Sequence, residues 1–239
     1  GRDRIVIATK VAGLPARKGL EPGNVQAAIE DSLRRLQTDY IDLYYAHYDD
    51  PERPMEEIAR TFDELVKSGK VREIGISNVE PDRIDEWMRI ARENNLATPV
   101  ALQPQYSLVS RRNYEEKYAP LAEKHGLAVF HYYALASGFV TGKYRIKEDL
   151  NKSWRGQSVA DYLNEDGLKV VDALQTIADD RKAAVATVAL AWLLAKPTIS
   201  APLASATSTK QLDELLAVPR LELTPDELGK LDEVSRTFG

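Results

Sequence analysis

Short apolar runs that end on a polar or ionisable residue constrain this chain more than any other feature. Ile5-Val6-Ile7-Ala8-Thr9-Lys10 finishes on a lysine, and Ile41-Asp42-Leu43-Tyr44-Tyr45-Ala46-His47 on a histidine. The layout recurs in Gly75-Ile76-Ser77-Asn78, Leu102-Gln103, His131-Tyr132-Tyr133 and Leu203-Ala204-Ser205. A parallel α/β barrel keeps its chemistry at the carboxyl ends of its strands. Polar ends on successive strands therefore suggest one converging site.

Amphipathic helices separate these runs, which argues for βα units and a parallel sheet. Val25, Ile29, Leu33 and Leu36 recur at helical spacing, as do Met55, Ile58, Phe62, Leu65 and Val66, with Gly69 as a stop. Ile84, Trp87 and Ile90 mark a third helix, and Tyr114, Tyr118, Leu121 and Ala122 a fourth that ends near Gly126. Strands are expected at 5–10, 41–47, 71–77, 99–103, 127–133 and 198–203. The excursion from Ala134 to about Glu165 reads as a functional loop without regular structure. Helices are expected from Leu168, over 185–195, and at about 208–217 and 225–236. Thr224-Pro225-Asp226-Glu227 is a capping box with proline at the first helical position, and Ser208-Thr209-Lys210-Gln211 repeats the logic with glutamine. No linker or repeat divides the chain, so residues 1–239 read as one domain.

The six strands fall short of the eight that close a (β/α)8 barrel. An open doubly wound sheet could stop at six, but it would normally carry a glycine-rich turn after a strand, and no G-x-G-x-x-G occurs. Hydrophobic residues make up 44% of the chain and charged residues 29%, the mix of a globular protein. A net charge of -5 without a basic run argues against nucleic acid and anionic membrane as partners. There is no cysteine, hence no disulfide or thiolate metal site. No apolar stretch could span a membrane and no signal peptide opens the chain, so a cytoplasmic protein is expected.

Several strand-end groups have chemistry available to them. Lys10 is a strand-end lysine reaching solvent, a Schiff-base nucleophile, or a charge that perturbs a neighbouring acid. His47 can orient or polarise a carbonyl. His125, at a helix end, is explained by the helix dipole. The histidines lack ligand spacing, so a metal site is not expected. Ser77, Asn78 and Gln103 are uncharged hydrogen-bonding groups that would suit a carboxamide, with the flat face of Tyr132 beside them. Ser205, Thr207 and Ser208 run into a helix N-terminus, a favourable place for an anion, and Lys210 follows in its first turn.

Taken in order, the motifs resemble the aldo-keto reductases. The matching stretches are Ile7-Ala8-Thr9-Lys10, Ser32-Leu33-Arg34-Arg35-Leu36, Thr38-Asp39-Tyr40-Ile41-Asp42-Leu43-Tyr44 with His47, and Gly69-Lys70-Val71-Arg72. They continue with Gly75-Ile76-Ser77-Asn78, Gln103-Pro104-Gln105-Tyr106-Ser107, Leu135-Ala136-Ser137-Gly138-Phe139 with Thr141-Gly142-Lys143-Tyr144, and Ala189-Leu190-Ala191-Trp192-Leu193-Leu194. The Ser205–Glu214 segment closes the set. The resemblance covers the whole chain, and the loop after Leu135 is similar to the bacterial general-reductase branch.

That resemblance implies a (β/α)8 barrel and an NADP(H)-dependent reduction of aldehydes or ketones, with NAD(H) as a possible substitute. Lys10 and His47 would be catalytic. Ser77, Asn78 and Gln103 would hold the nicotinamide carboxamide, and Tyr132 would stack on the ring. Leu135, Ser137, Gly138, Thr141 and Gly142 would line the pyrophosphate. Ser205, Thr207, Gln211 and Glu214 would surround the adenosine and its 2′-phosphate. Thr207 stands where many relatives place arginine, which weakens the case for NADP. The family's proton donor, a tyrosine assisted by an aspartate, belongs to the second barrel strand and the loop after it. The chain resembles the part from the third strand onward, so the first two βα units and both residues are expected to be missing. The partner implied is a small carbonyl compound; a monomer is compatible with the sequence. A regulatory cofactor-binding subunit resembling the potassium-channel β-subunits is the alternative, and a Schiff-base aldolase built on Lys10 a third reading.

Overall fold

Strands and helices alternate along the chain as the apolar spacing predicts, and the computed structural model describes residues 1–239. The backbone divides into two units, one formed by Gly1–Gln103 with Leu121–Ala128, the other by Pro104–Pro120 with Val129–Gly239.

The first unit contains four strands, β1 (Ala8–Val11), β2 (Ile41–Ala46), β3 (Val71–Ile76) and β4 (Pro99–Leu102), each parallel to the next. Helices α1 (Pro22–Leu36), α2 (Met55–Lys67) and α3 (Pro81–Glu93) connect them. Every residue of β2 is buried, which is why its sequence is a continuous apolar run and not an alternation. Tyr44 faces the helices and meets Phe62 at 6.0 Å between ring centroids; Phe62 in turn meets Trp87 edge-on at 5.3 Å. Tyr45, one residue on, must face the other way. Gly69, at φ +75°, ends the α2 turn as the sequence suggests.

Strand β1 is shorter than expected. Residues 2–4 form a 3-10 turn, and Ile5 and Val6 are exposed. Apolarity alone had extended the strand too far. Its start is fixed by a buried carboxylate: Asp42 accepts from the Ile7 amide at 2.9 Å and pairs with Arg2 at 2.7 Å and Arg72 at 2.9 Å. A second correction concerns His125, the last residue of α4 (Ala119–His125). Its ring lies between two α3 side chains, with Nε2 2.5 Å from Asp85 and Nδ1 3.2 Å from Arg92. Side-chain partners, and not the helix dipole alone, hold it.

The second unit contains β5 (Ala128–His131) and β6 (Ile199–Pro202), paired in parallel, with α5 (Glu165–Arg181), α6 (Val185–Leu194), α7 (Thr209–Leu216) and α8 (Pro225–Val234). Strand β5 stops two residues earlier than expected, so Tyr132 lies beyond it. Its core is aromatic: Tyr106 lies 4.5 Å from Tyr114, 4.9 Å from His131 and 5.5 Å from Trp192. Arg111 fastens the carboxyl-terminal turns, donating to Ser235 Oγ at 2.6 Å and the Asp232 carbonyl at 3.0 Å while gripping Glu115 at 2.8 Å. The excursion after Ala134 is not irregular: 3-10 turns occupy Ala136–Thr141, Lys147–Lys152 and Gly156–Tyr162. Phe139, Val140, Tyr144 and Val159 are buried beneath them, and Asp149 ties the turns by accepting from the Arg145 and Ile146 amides.

Candidate active site

In the first unit, parallel pairing brings the carboxyl ends of β1 to β4 into one row. The Cα partners run Lys10 to Tyr45, Tyr45 to Gly75 and Gly75 to Ala101. His47 follows β2, Ser77 and Asn78 follow β3, and Gln103 follows β4. Hydrogen bonds tie these ends together. The His47 amide donates to the Val11 carbonyl, Ser77 to Ala46, and Gln103 to Ile76. Ser77 Oγ donates to the Gln103 carbonyl at 2.8 Å. Asn78 Nδ2 donates to the His47 carbonyl at 2.9 Å and to Ser77 Oγ at 3.0 Å, and Asn78 takes the left-handed φ of +50° to do so. Five sequence-selected residues thus converge in one unit.

Both ionisable groups are half-buried, and burial shifts both. It lowers the Lys10 pKa from the ordinary lysine value. It also lowers the His47 pKa, and the positive charge of Lys10 adds to that effect. The row is therefore built to carry one cation, with a neutral imidazole beside it. His47 stacks on Tyr48 at 4.4 Å, and Gly13 lies so close that a β-carbon there would stand 2.3 Å from its Nδ1. A neutral histidine can donate one N–H to a carbonyl oxygen while a nearby ammonium stabilises negative charge that develops there.

In the second unit the remaining selected residues again follow strands. Tyr132 comes directly after β5, with its amide bonded to the Pro104 carbonyl at 3.0 Å. Its ring meets Tyr133 edge-on at 5.3 Å. Leu135 opens the first 3-10 turn, in which Ala136, Ser137 and Gly138 are consecutively left-handed and Gly142 again has positive φ. Thr141 Oγ1 closes on the Gly138 carbonyl at 2.7 Å. Neighbouring carbonyls take up three of its amides: Ala136 donates to Tyr133 at 2.7 Å, Gly138 to Leu135 at 2.8 Å and Gly142 to Phe139 at 3.1 Å. After β6, Ser205 and Thr207 are exposed in the connection to α7. Ser208 caps that helix, as expected, accepting from the Gln211 amide at 3.3 Å. Gln211 Oε1, however, reaches past the cap to the Thr207 amide at 2.8 Å and hydroxyl at 3.0 Å. The Glu214 carbonyl accepts from Thr187 at 2.9 Å.

Two features escaped the sequence: the ring of Tyr45 between Lys10 and Gln103, and the two glycines that make room for rings, Gly75 for Tyr45 and Gly13 for His47. For Gly75, an isolated glycine inside a strand was the available signal; Gly13, in the loop after β1, carried none. No cluster of three or more acidic or histidine side chains is arranged to hold a metal, and no helix is long and apolar enough to cross a membrane.

Residues 1–236 match the profile of the Aldo/keto reductase family. Among curated proteins, a putative voltage-gated potassium channel subunit beta of Schizosaccharomyces pombe is 35% identical over 98% of the chain and 72% of its own length. Protein tas of Escherichia coli is 30% identical over 99% of the chain and 76% of its length. The L-glyceraldehyde 3-phosphate reductase of Escherichia coli O157:H7 is 30% identical over 97% and 70%.

Proposed function

The chain belongs to the aldo/keto reductase family, oxidoreductases that act on small carbonyl compounds with nicotinamide cofactors, and from that premise we propose an NADP(H)-dependent reductase of aldehydes or ketones. The observation that carries the reading is the row of strand ends in the first unit. A half-buried lysine and a half-buried histidine with depressed pKa stand beside neutral amides and a hydroxyl fixed by one another.

Ser77, Asn78 and Gln103 are proposed to hold the nicotinamide carboxamide. They suit it, being uncharged, bonded into one array and ionisable nowhere in the working pH range. The His47 carbonyl and Ser77 Oγ hold Asn78 Nδ2 in place. Tyr132 is proposed to stack on the ring, and Leu135, Ser137, Gly138, Thr141 and Gly142 to line the pyrophosphate. Ser205, Thr207, Gln211 and Glu214 are proposed for the adenosine end. The bound dinucleotide supplies a hydride equivalent for the carbonyl carbon. This chain's residues prepare the oxygen: neutral His47 donates an N–H to it, and the Lys10 ammonium stabilises charge there and lowers the pKa of the acid that protonates it. The family resemblance assigns that acid to a tyrosine assisted by an aspartate, and no residue of 1–239 is given the role. We also propose that residues 1–239 form part of a single (β/α)8 barrel domain.

The test is titration of the full-length protein with NADPH and NADH by quenching of protein fluorescence, followed by NADPH consumption with 4-nitrobenzaldehyde. Binding with consumption is expected. The potassium-channel subunit name of one relative favours a second reading, a cofactor-binding regulatory subunit. Binding without consumption of any aldehyde or ketone would select it, and absence of binding would sink both.

A further inference from the structure

Tyr45 is buried, at 1% exposure. It sits in the row Lys10, Tyr45, Gly75, Ala101, whose members are successive Cα partners across four strands and so share one face of the sheet. On one side, the Lys10 ammonium lies 5.5 Å from the centre of its ring. On the other, its ring lies over Gly75. A β-carbon at 75 would stand 2.4 Å from two ring carbons, closer than any real contact. Beyond Gly75 the next partner is the small Ala101, and the ring's hydroxyl reaches the side chain of Gln103, which hydrogen-bonds to it.

The arrangement is one of size and charge. The missing side chain of Gly75 leaves room on β3, and the aromatic ring from β2 fills it. We propose that Tyr45, seated on Gly75, is a positioning residue that holds the Lys10 ammonium on its ring face and the Gln103 amide on its hydroxyl, setting the two ends of the strand-end row relative to each other. A ring face attracts a cation within about 6 Å, which offsets part of the cost of half-burying Lys10. Burial pushes the Tyr45 hydroxyl up to about 12, so it remains neutral and presents an undivided ring face at every working pH. The titratable group coupled to Lys10 is His47, from the end of β2. The role in cofactor placement rests on the reductase reading above; the effect on Lys10 does not.

The two are tested separately in the full-length protein. Lys10 is titrated by NMR of 13C-methylated lysines, with Lys10→Arg to assign its signal. Tyr45→Leu is expected to lower the Lys10 pKa by about 0.4–0.7 of a unit, from a cation–π attraction of about 0.5–1 kcal/mol. Tyr45→Phe is expected to leave that pKa in place and to weaken NADPH binding about fivefold, the loss of one hydrogen bond. Gly75→Ala is expected to lower the unfolding temperature, and Gly75→Ala with Tyr45→Leu to recover it while keeping the lowered Lys10 pKa. The double variant also serves if Tyr45→Leu alone fails to fold. An unshifted Lys10 in the leucine variants, or a Gly75→Ala protein as stable as wild type, overturns the proposal. Wild-type protein that binds no NADPH instead removes the reductase reading, and the Lys10 shift then still decides the placement of Tyr45.

Discussion

Two histidines stand at strand ends, one in each unit, and the folds around them treat the same side chain in opposite ways. His47 follows β2, half-buried, stacked on Tyr48 and next in charge to Lys10. His131 ends β5 with no exposure at all; Tyr114 meets it edge-on at 4.7 Å, and neither ring nitrogen has a hydrogen-bond partner. Burial takes its pKa down to about 3. Position at a strand's carboxyl end therefore does not make a residue functional. Access separates the two: His47 keeps part of its surface exposed beside a charge, whereas His131 is a neutral ring in an aromatic core, where an unmatched polar atom costs about 1–3 kcal/mol.

The largest effect expected from this contrast is on acid stability. The unfolded chain protonates His131 near its ordinary 6.5, and the folded chain near 3. Between those values the unfolded state binds more protons, so His131 favours folding fully above pH 6.5 and progressively less as pH falls towards 3. The integrated loss is at most about 4–5 kcal/mol. His131→Leu should flatten the stability curve over that window while holding or raising stability at pH 7. Denaturant titrations at several pH values check it; parallel curves for variant and wild type would erase the difference between the two histidines. Next in size is the converse. His47→Gln should change stability by no more than about 1 kcal/mol, the centre of the range for single substitutions, yet lower turnover by about a hundredfold, as loss of a positioned acid–base group does. A turnover close to wild type would put His47 in the same structural class as His131. The smallest effect is expected at the adenosine end. Thr207 brings no charge and its hydroxyl is held by Gln211. Thr207→Arg should tighten NADPH about tenfold, through a charge-assisted bond at the exposed end of the range, about 1.5 kcal/mol, and leave NADH nearly unchanged. Equal responses to both cofactors would move the 2′-phosphate away from this helix start.

The same contrast explains what could be read from the chain before its structure. Strand endings were legible because buried parallel strands are continuous apolar runs, and a polar residue closing one stands out. So were the caps at Ser208 and Thr224, where three residues carry the whole signal. Ile5 and Val6 misled because apolarity does not report exposure. What connects distant residues left no local trace. Asp42 joins Arg2 and Arg72, and Arg111 reaches Ser235 across 124 positions. Tyr45 looked like one more apolar strand residue; only the register placed it between Lys10 and Gly75.

On this reading the strand-end row of the first unit reduces carbonyls and is not merely a polar rim. Lys10→Met in the full-length protein tests it most directly, with NADPH affinity, unfolding temperature and NADPH consumption with 4-nitrobenzaldehyde measured on one preparation. Affinity and unfolding temperature are expected close to wild type, with turnover lower by about a thousandfold or more, at the upper end of acid–base contributions. Turnover equal to wild type would contradict that reading and return Lys10 to an ordinary solvated lysine.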